Sequence, residues 1–168
     1  MERACWTSVE NPTAEHLREA AEHRRIAAEH RQASSVLQQA EARSCVGITP
    51  DDRDISPFLR VEDIAGVAPY PSPPATAEGA SVTFRAVPGV TAKWLQRVVD
   101  CHLARNAAVG HIALDMPDCP LVPKGTEATV RGTPSGFVVR VRSDDPASAR
   151  EILDRARRLV ARRDERRP

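Results

Sequence analysis

The sequence predicts an α+β fold: one long N-terminal helix followed by a ββαββα unit, a four-stranded antiparallel sheet with two helices on one face. Three observations predict it. Residues 13–44 run without a single Gly or Pro, the two residues that most often end a helix. The stretches VTFRAV and FVVRVR alternate at the two-residue period of half-buried strands. Each of these strands is followed by a Pro-containing turn and a segment with apolar residues spaced by three and four, so the two halves share one pattern.

Taken in order, residues 1–12 read as a disordered start that holds Cys5. Residues 13–47 read as a long Ala-seamed helix with an internal repeat, AEHLREA, AEHRRIA and AEHRQAS, beginning at Ala14, Ala21 and Ala28. A seven-residue repeat returns each residue type to nearly the same face, drifting only ~20° per heptad. Ala14, Ala20, Ala21, Ala27, Ala28 and Leu17 thus line one stripe, continued by Val36 and Leu37, against which a partner helix can approach closely. Self-association through helix 13–44, or docking of an unknown protein partner, is the expected use of that stripe. Arg18–Glu22 and Arg25–Glu29 are spaced as surface pairs on the wetter side. Gly47 is placed to stop the helix.

Residues 48–60, ITPDDRDISPFLR, form a Pro-punctuated linker. Its DDRD run lacks the central Gly of a calcium loop, so a capped turn is expected there. The α+β domain then spans 61–163, with 164–168 as a tail. Its expected elements are a weak strand at Val61–Pro69, a Pro-rich loop, and a strand at Ala80–Val87. A helix at 91–109 and a hairpin, Glu127–Gly132 with Gly136–Arg142 around TPSG, come next. The final helix is announced by Asp145-Pro146, an N-cap acid before a first-turn proline. It buries Ala149, Ile152, Leu153, Ala156, Leu159 and Val160, while its Arg-rich end suits the negative pole of the helix dipole.

Composition removes several function classes. Lys+Arg 24 against Asp+Glu 23 leaves a formal net charge of +1, so no whole-chain field draws the protein to nucleic acid or an anionic membrane. With only Phe84 and Phe137 as ring-bearing strand residues, an RNA-stacking sheet is not expected either. No run approaches the ~18 apolar residues of a transmembrane segment. The opening residues show no basic region ahead of an apolar one, so no signal peptide is read from them. Nucleotide-loop, nucleophile-elbow and HExxH patterns are missing. The expectation is a chain that is not an enzyme.

The residues with most chemical content lie between 101 and 119. On a helical wheel Trp94, Leu95, Val98, Val99 and Cys101 form an apolar arc containing His102, with Gln96, Arg97 and Asp100 opposite. Adjacent Cys101 and His102 point ~100° apart, so they do not make a nucleophile–base pair. His111, Met116 and Cys119 follow in GHIALDMPDCP. Thiolate, thioether and imidazole together suit a soft ion, and copper or zinc held by Cys101, His102, His111, Met116 and Cys119 is one reading. The competing reading of the same sulfurs is a disulfide. Cys101–Cys119 would pin the Pro-flanked loop to the helix, adding ~3 kcal/mol in the chain-entropy model. Cys45, at the end of the long helix, is the alternative partner. His16, His23 and His30 recur every seven residues, about 10.5 Å apart, too far for two of them to hold one ion within a single helix. They read as the border of a packed face, available for metal or proton binding only if another helix brings histidines opposite.

The segments EARSCVGITPDDRDISPF and RVVDCHLARNAAVGH, with MPDCPLVPKG after them, resemble a set of small uncharacterised bacterial envelope or lipoprotein-like proteins. The resemblance covers roughly residues 35–160 and brings no established chemistry with it. It implies a periplasmic or envelope location, with an export leader ahead of such a chain, and it groups Cys45, Cys101 and Cys119. Without that leader the alternative is the cytoplasm. The functional expectation is a non-catalytic envelope binding or interaction module with a disulfide-stapled loop, the alternative being a soft-metal binder.

Overall fold

Two hairpins, joined through their second strands, make the sheet. The computed structural model describes residues 12–54, 56–71, 78–112 and 116–165. β1 (Ile64–Tyr70) pairs with β2 (Gly79–Arg85), and β3 (Glu127–Thr133) with β4 (Gly136–Arg142). The antiparallel β2–β4 pair unites them in the order β1-β2-β4-β3. β2 and β3 therefore point the same way, and α3 (Ala92–Ala108) carries the chain between them past β4. α4 (Pro146–Glu165) closes the fold. This is the α+β, ββαββα order that the alternating strands and spaced helices predicted. The expected start at 1–11, with Cys5, lies outside the described residues; of the expected tail, Asp164 and Glu165 belong to α4.

Register explains the core. Ala80 sits opposite Val141, Val82 opposite Val139 and Phe84 opposite Phe137, and all six are buried on one face. Leu95 and Val99 of α3 and Ile152, Leu153, Ala156 and Leu159 of α4 complete the same cluster, so both helices cover that face. Each of the Val, Leu, Ile and Phe side chains contributes about 1.5–3 kcal/mol by leaving water. Phe58 meets Phe84 edge-on, with ring centroids 5.5 Å apart. The other face carries Ser81, Thr83, Val138 and Arg140, none of them fully buried, and the Arg140 guanidinium lies 5.3 Å from the Tyr70 ring centroid. At the β3–β4 turn Gly136 has φ 149°, and a Cβ there would fall 2.1 Å from the Phe84 carbonyl oxygen, which only glycine avoids.

Helix starts are capped as their sequences suggest. Asp145 Oδ2 accepts the Ser148 N–H at 2.8 Å, and these amide bonds hold its carboxyl below the usual aspartate range. Thr91 accepts the Trp94 N–H at 3.2 Å. The strand expected to begin at Val61 begins at Ile64, because Val61–Asp63 closes a 3-10 turn with the Asp63 N–H on the Arg60 carbonyl. The linker 48–60 contains two short elements: Thr49 caps the one-turn helix α2 (Pro50–Asp54), and Pro57–Leu59 forms another 3-10 turn. Its DDRD run is thus a capped turn.

Gln96, expected on the open face of α3, is instead half-buried against the sheet. Its amide nitrogen donates to the Ala128 carbonyl at 3.1 Å, and its amide oxygen accepts the Val130 N–H at 2.6 Å. One side chain thus imitates a further strand along β3, satisfying an edge that would otherwise offer free backbone groups.

α1 (Pro12–Ser44) divides between two units, the first ending at Leu37 and the second starting at Gln38. In the first, Arg25 bridges both Glu22 and Glu29, and Leu17 and Val36 are more than half exposed. In the second, the helix ends at Ser44 and the chain turns through Gly47, whose φ of 69° is the left-handed cap the sequence implied. No described helix is long and apolar enough to cross a membrane.

Candidate functional site

Cys45 and Cys101 form a disulfide across 56 residues, with Cα atoms 4.7 Å apart. The expected bond between Cys101 and Cys119 is not made, and Cys119 is a free thiol in the core. The reason lies in α3. Cys101 falls on the side of the helix where Val98 and Trp94 meet Cys45 and Ile48, a small cluster separate from the main core. Cys119 belongs to the main core, with Leu121, Val122 and α4. The two sulfurs bracket one loop in sequence but sit in different clusters. Burial pushes the Cys119 thiol above its ordinary range, and its neighbour is the hydroxyl of buried Ser56 at 3.6 Å.

The same arrangement takes apart the proposed metal set. Cys101 is consumed by the disulfide. His111, in the left-handed region at φ 62°, closes the end of α3 and places Nδ1 2.9 Å from the Val122 carbonyl oxygen, which fixes the ring against the loop. His102 is buried and shares a cleft of about 380 Å³ with Met116 and Asn106, whereas Met116 meets Cys119 only in a much smaller recess. Among the described residues no three His, Cys, Asp or Glu side chains converge on a point where an ion could sit. His16, His23 and His30 are exposed along α1, each two turns from the next, with His16 beside Glu19 at 3.5 Å.

The loop that carried this expectation is locked for structural reasons. Asp118, nearly buried, accepts Arg158 Nε at 2.7 Å and pairs with Arg162 Nε at 2.9 Å, tying the loop to α4. Buried Asn106 donates to the Leu121 carbonyl at 3.1 Å. These partners satisfy polar groups of residues 118–123, which run through the interior.

What the fold leaves open is a second cleft of about 300 Å³ at the N-terminal half of α3. Its floor is apolar and aromatic: Phe84, Trp94, Leu95, Val98 and Phe137. Val87, Pro88 and Val90, in the turn between β2 and α3, make one wall, and Asp52, Pro57, Arg60 and Asp63 line the other. Arg60, Arg85, Asp52 and Asp63 stand at the mouth. Asp52 accepts the Thr49 hydroxyl at 2.7 Å, and Arg85 Nη1 donates to the Glu62 carbonyl at 2.7 Å. The side chains of Arg60 and Asp63 have no ion-pair or hydrogen-bond partner among the described residues. A concave, mostly apolar site with a few polar groups at its rim is the form small-molecule sites take, and this volume is at the small end of their ~300–1,000 Å³ range.

The disulfide and the cleft share residues. Trp94 and Val98 line the cleft and also pack on Cys45 and Ile48. Arg53 fastens the wall by donating to the Ile48 carbonyl at 3.1 Å and to the Cys45 carbonyl at 3.1 Å. Arg97 donates to the Val46 carbonyl, and Arg105 to the Arg53 carbonyl and the Asp54 carboxylate. The sequence reading missed this site because its members come from four separate segments, none of which is a motif alone. The half-buried Trp94 was its one visible trace. Comparison with known family models, curated proteins and solved structures gives no match for the chain.

Proposed function

We propose that the chain is a non-catalytic binding module of the bacterial envelope, with the Trp94 cleft as its ligand site and the Cys45–Cys101 disulfide as the staple of its wall. The observation that carries this reading is the cleft itself: a concavity in which half-buried Trp94 stands over core residues Phe84, Leu95, Val98 and Phe137, with charged side chains among its lining. An apolar concavity of this size costs free energy when it faces water, and a ligand recovers that cost. The disulfide supports the location, since such bonds persist in oxidising compartments and are reduced in most cytosols. The resemblance of residues 35–160 to envelope proteins points the same way.

A neutral apolar fluorophore, N-phenyl-1-naphthylamine, tests the site. Its emission should rise on titration into the protein, and the rise should be lost in Val87→Trp, where a half-buried turn residue is enlarged into the cleft. No rise, or an equal rise with Val87→Trp, refutes the site.

Self-association through helix 13–44 is the second reading, favoured by Leu17 at 62% and Val36 at 54% exposure on a helix with a seven-residue repeat. Size-exclusion chromatography of the double variant Leu17→Glu, Val36→Glu checks it: the apparent mass should fall relative to wild type, and an unchanged mass removes this reading.

A further inference from the structure

The charges at the cleft mouth select a ligand class, and this inference rests on the Trp94 cleft being a binding site. Two cations and two anions stand over one apolar floor: Arg60 and Arg85 are exposed, while Asp52 and Asp63 are half-buried. Arg85 spends one donor on the Glu62 carbonyl and Asp52 takes the Thr49 hydroxyl, so each retains further hydrogen-bonding capacity. Arg60 and Asp63 are unengaged among the described residues. A purely apolar ligand gains the floor but leaves these groups without partners and so binds less tightly than one that pairs them, and an anion or cation alone would satisfy one sign and face the other.

We propose that the cleft binds a free apolar α-amino acid, its side chain on Trp94, Phe84 and Phe137, its ammonium on Asp63 and Asp52, and its carboxylate on Arg60 and Arg85. Size agrees with this. A cleft of about 300 Å³ lies at the small end of the ~300–1,000 Å³ range of small-molecule sites and admits a one-ring amino acid. Mixed charge at the rim and an aromatic floor discriminate by placing each charge of the zwitterion beside its opposite, with planar, bidentate contact available from a guanidinium to the carboxylate.

Three molecules with one ring in common separate the contributions: L-phenylalanine, 2-phenylethylamine, which lacks the carboxylate, and 3-phenylpropanoate, which lacks the ammonium. Binding is read by calorimetry and by Trp94 emission in a Trp6→Phe background, which leaves a single indole. L-Phenylalanine should bind at least tenfold more tightly than either relative. Asp63→Asn should weaken phenylalanine and phenylethylamine at least tenfold and leave phenylpropanoate unchanged, and Arg60→Gln should weaken phenylalanine and phenylpropanoate while sparing the amine. Among the described residues both side chains are unpaired, and neither is buried, so the folded protein should tolerate the changes. Equal affinity for all three molecules overturns the zwitterion assignment and leaves the cleft an apolar site. Silence towards phenylalanine while the naphthylamine still binds overturns the ligand class alone. Silence towards both removes the binding site as well.

Discussion

Removing the Cys45–Cys101 bond tests the link between staple and cleft. Reduction of the intact chain, or the double variant Cys45→Ala, Cys101→Ala, releases a cross-link spanning 56 residues. In the chain-entropy model such a loop lowers the entropy of the unfolded chain by about 14 cal/mol/K, which is about 4 kcal/mol at 25 °C. The bond also acts locally. Without it the segment from Cys45 to Asp54, which leads into the cleft wall at Asp52, is held by buried Ile48, contributing about 2 kcal/mol. Arginine contacts that are mostly exposed add little more, each under about 1 kcal/mol. Ordering backbone costs about 1 kcal/mol per residue, so this wall should open once the bond is cut. The main core contains neither cysteine of the pair and should persist. Urea unfolding followed by circular dichroism, with and without reductant, measures the first effect. With m about 2 kcal/mol/M the midpoint should fall by about 2 M. Hydrogen exchange over residues 45–60 should rise well before that midpoint, and naphthylamine affinity should drop with it. Coincident midpoints in the oxidised and reduced proteins would refute the reasoning, and unchanged dye affinity after reduction would refute the claim that the staple holds the wall.

Gln96→Ala uncovers the Ala128 carbonyl and the Val130 N–H on β3; stability should fall by about 1–2 kcal/mol, and light scattering on warming should begin earlier as the freed edge pairs between molecules. Asp118→Ala should cost about 1–3 kcal/mol in urea unfolding, because the loop loses both arginine tethers, while Arg158 and Arg162, about half exposed, recover by hydration. For pH, the Asp145 carboxyl is lowered by its bonds at the start of α4, so its stabilising effect is complete above the ordinary carboxylate range and is lost as pH falls through the lowered value. Acid titration of thermal stability should therefore be shallower at its low-pH end in Asp145→Asn than in wild type, and superimposable curves would remove this role.

Local periodicity made much of the fold legible. β4 has the predicted limits, α3 and α4 are close to theirs, and the buried face of α4 is the one that three/four spacing selects. Gly47, Asp145-Pro146 and the TPSG turn act as written, because caps and turns depend on a few adjacent residues. Gln96 was misplaced because a wheel sorts side chains by polarity, while a half-buried amide can be satisfied by a strand edge that the wheel does not contain.

The sequence by itself determined the elements, their order, the faces that they bury and the near-neutral charge of the chain. Tertiary structure alone decided which sulfurs meet. Cys101 and Cys119 are 18 residues apart in the chain, yet one faces the end of α1 and the other the space under α4. The cleft is likewise a product of assembly, since its floor and mouth come from α2, the 3-10 turns, the end of β2, α3 and the start of β4. Periodicity is set by a residue's neighbours in sequence, whereas disulfide pairing and concavity depend on how finished elements pack, which no single segment encodes.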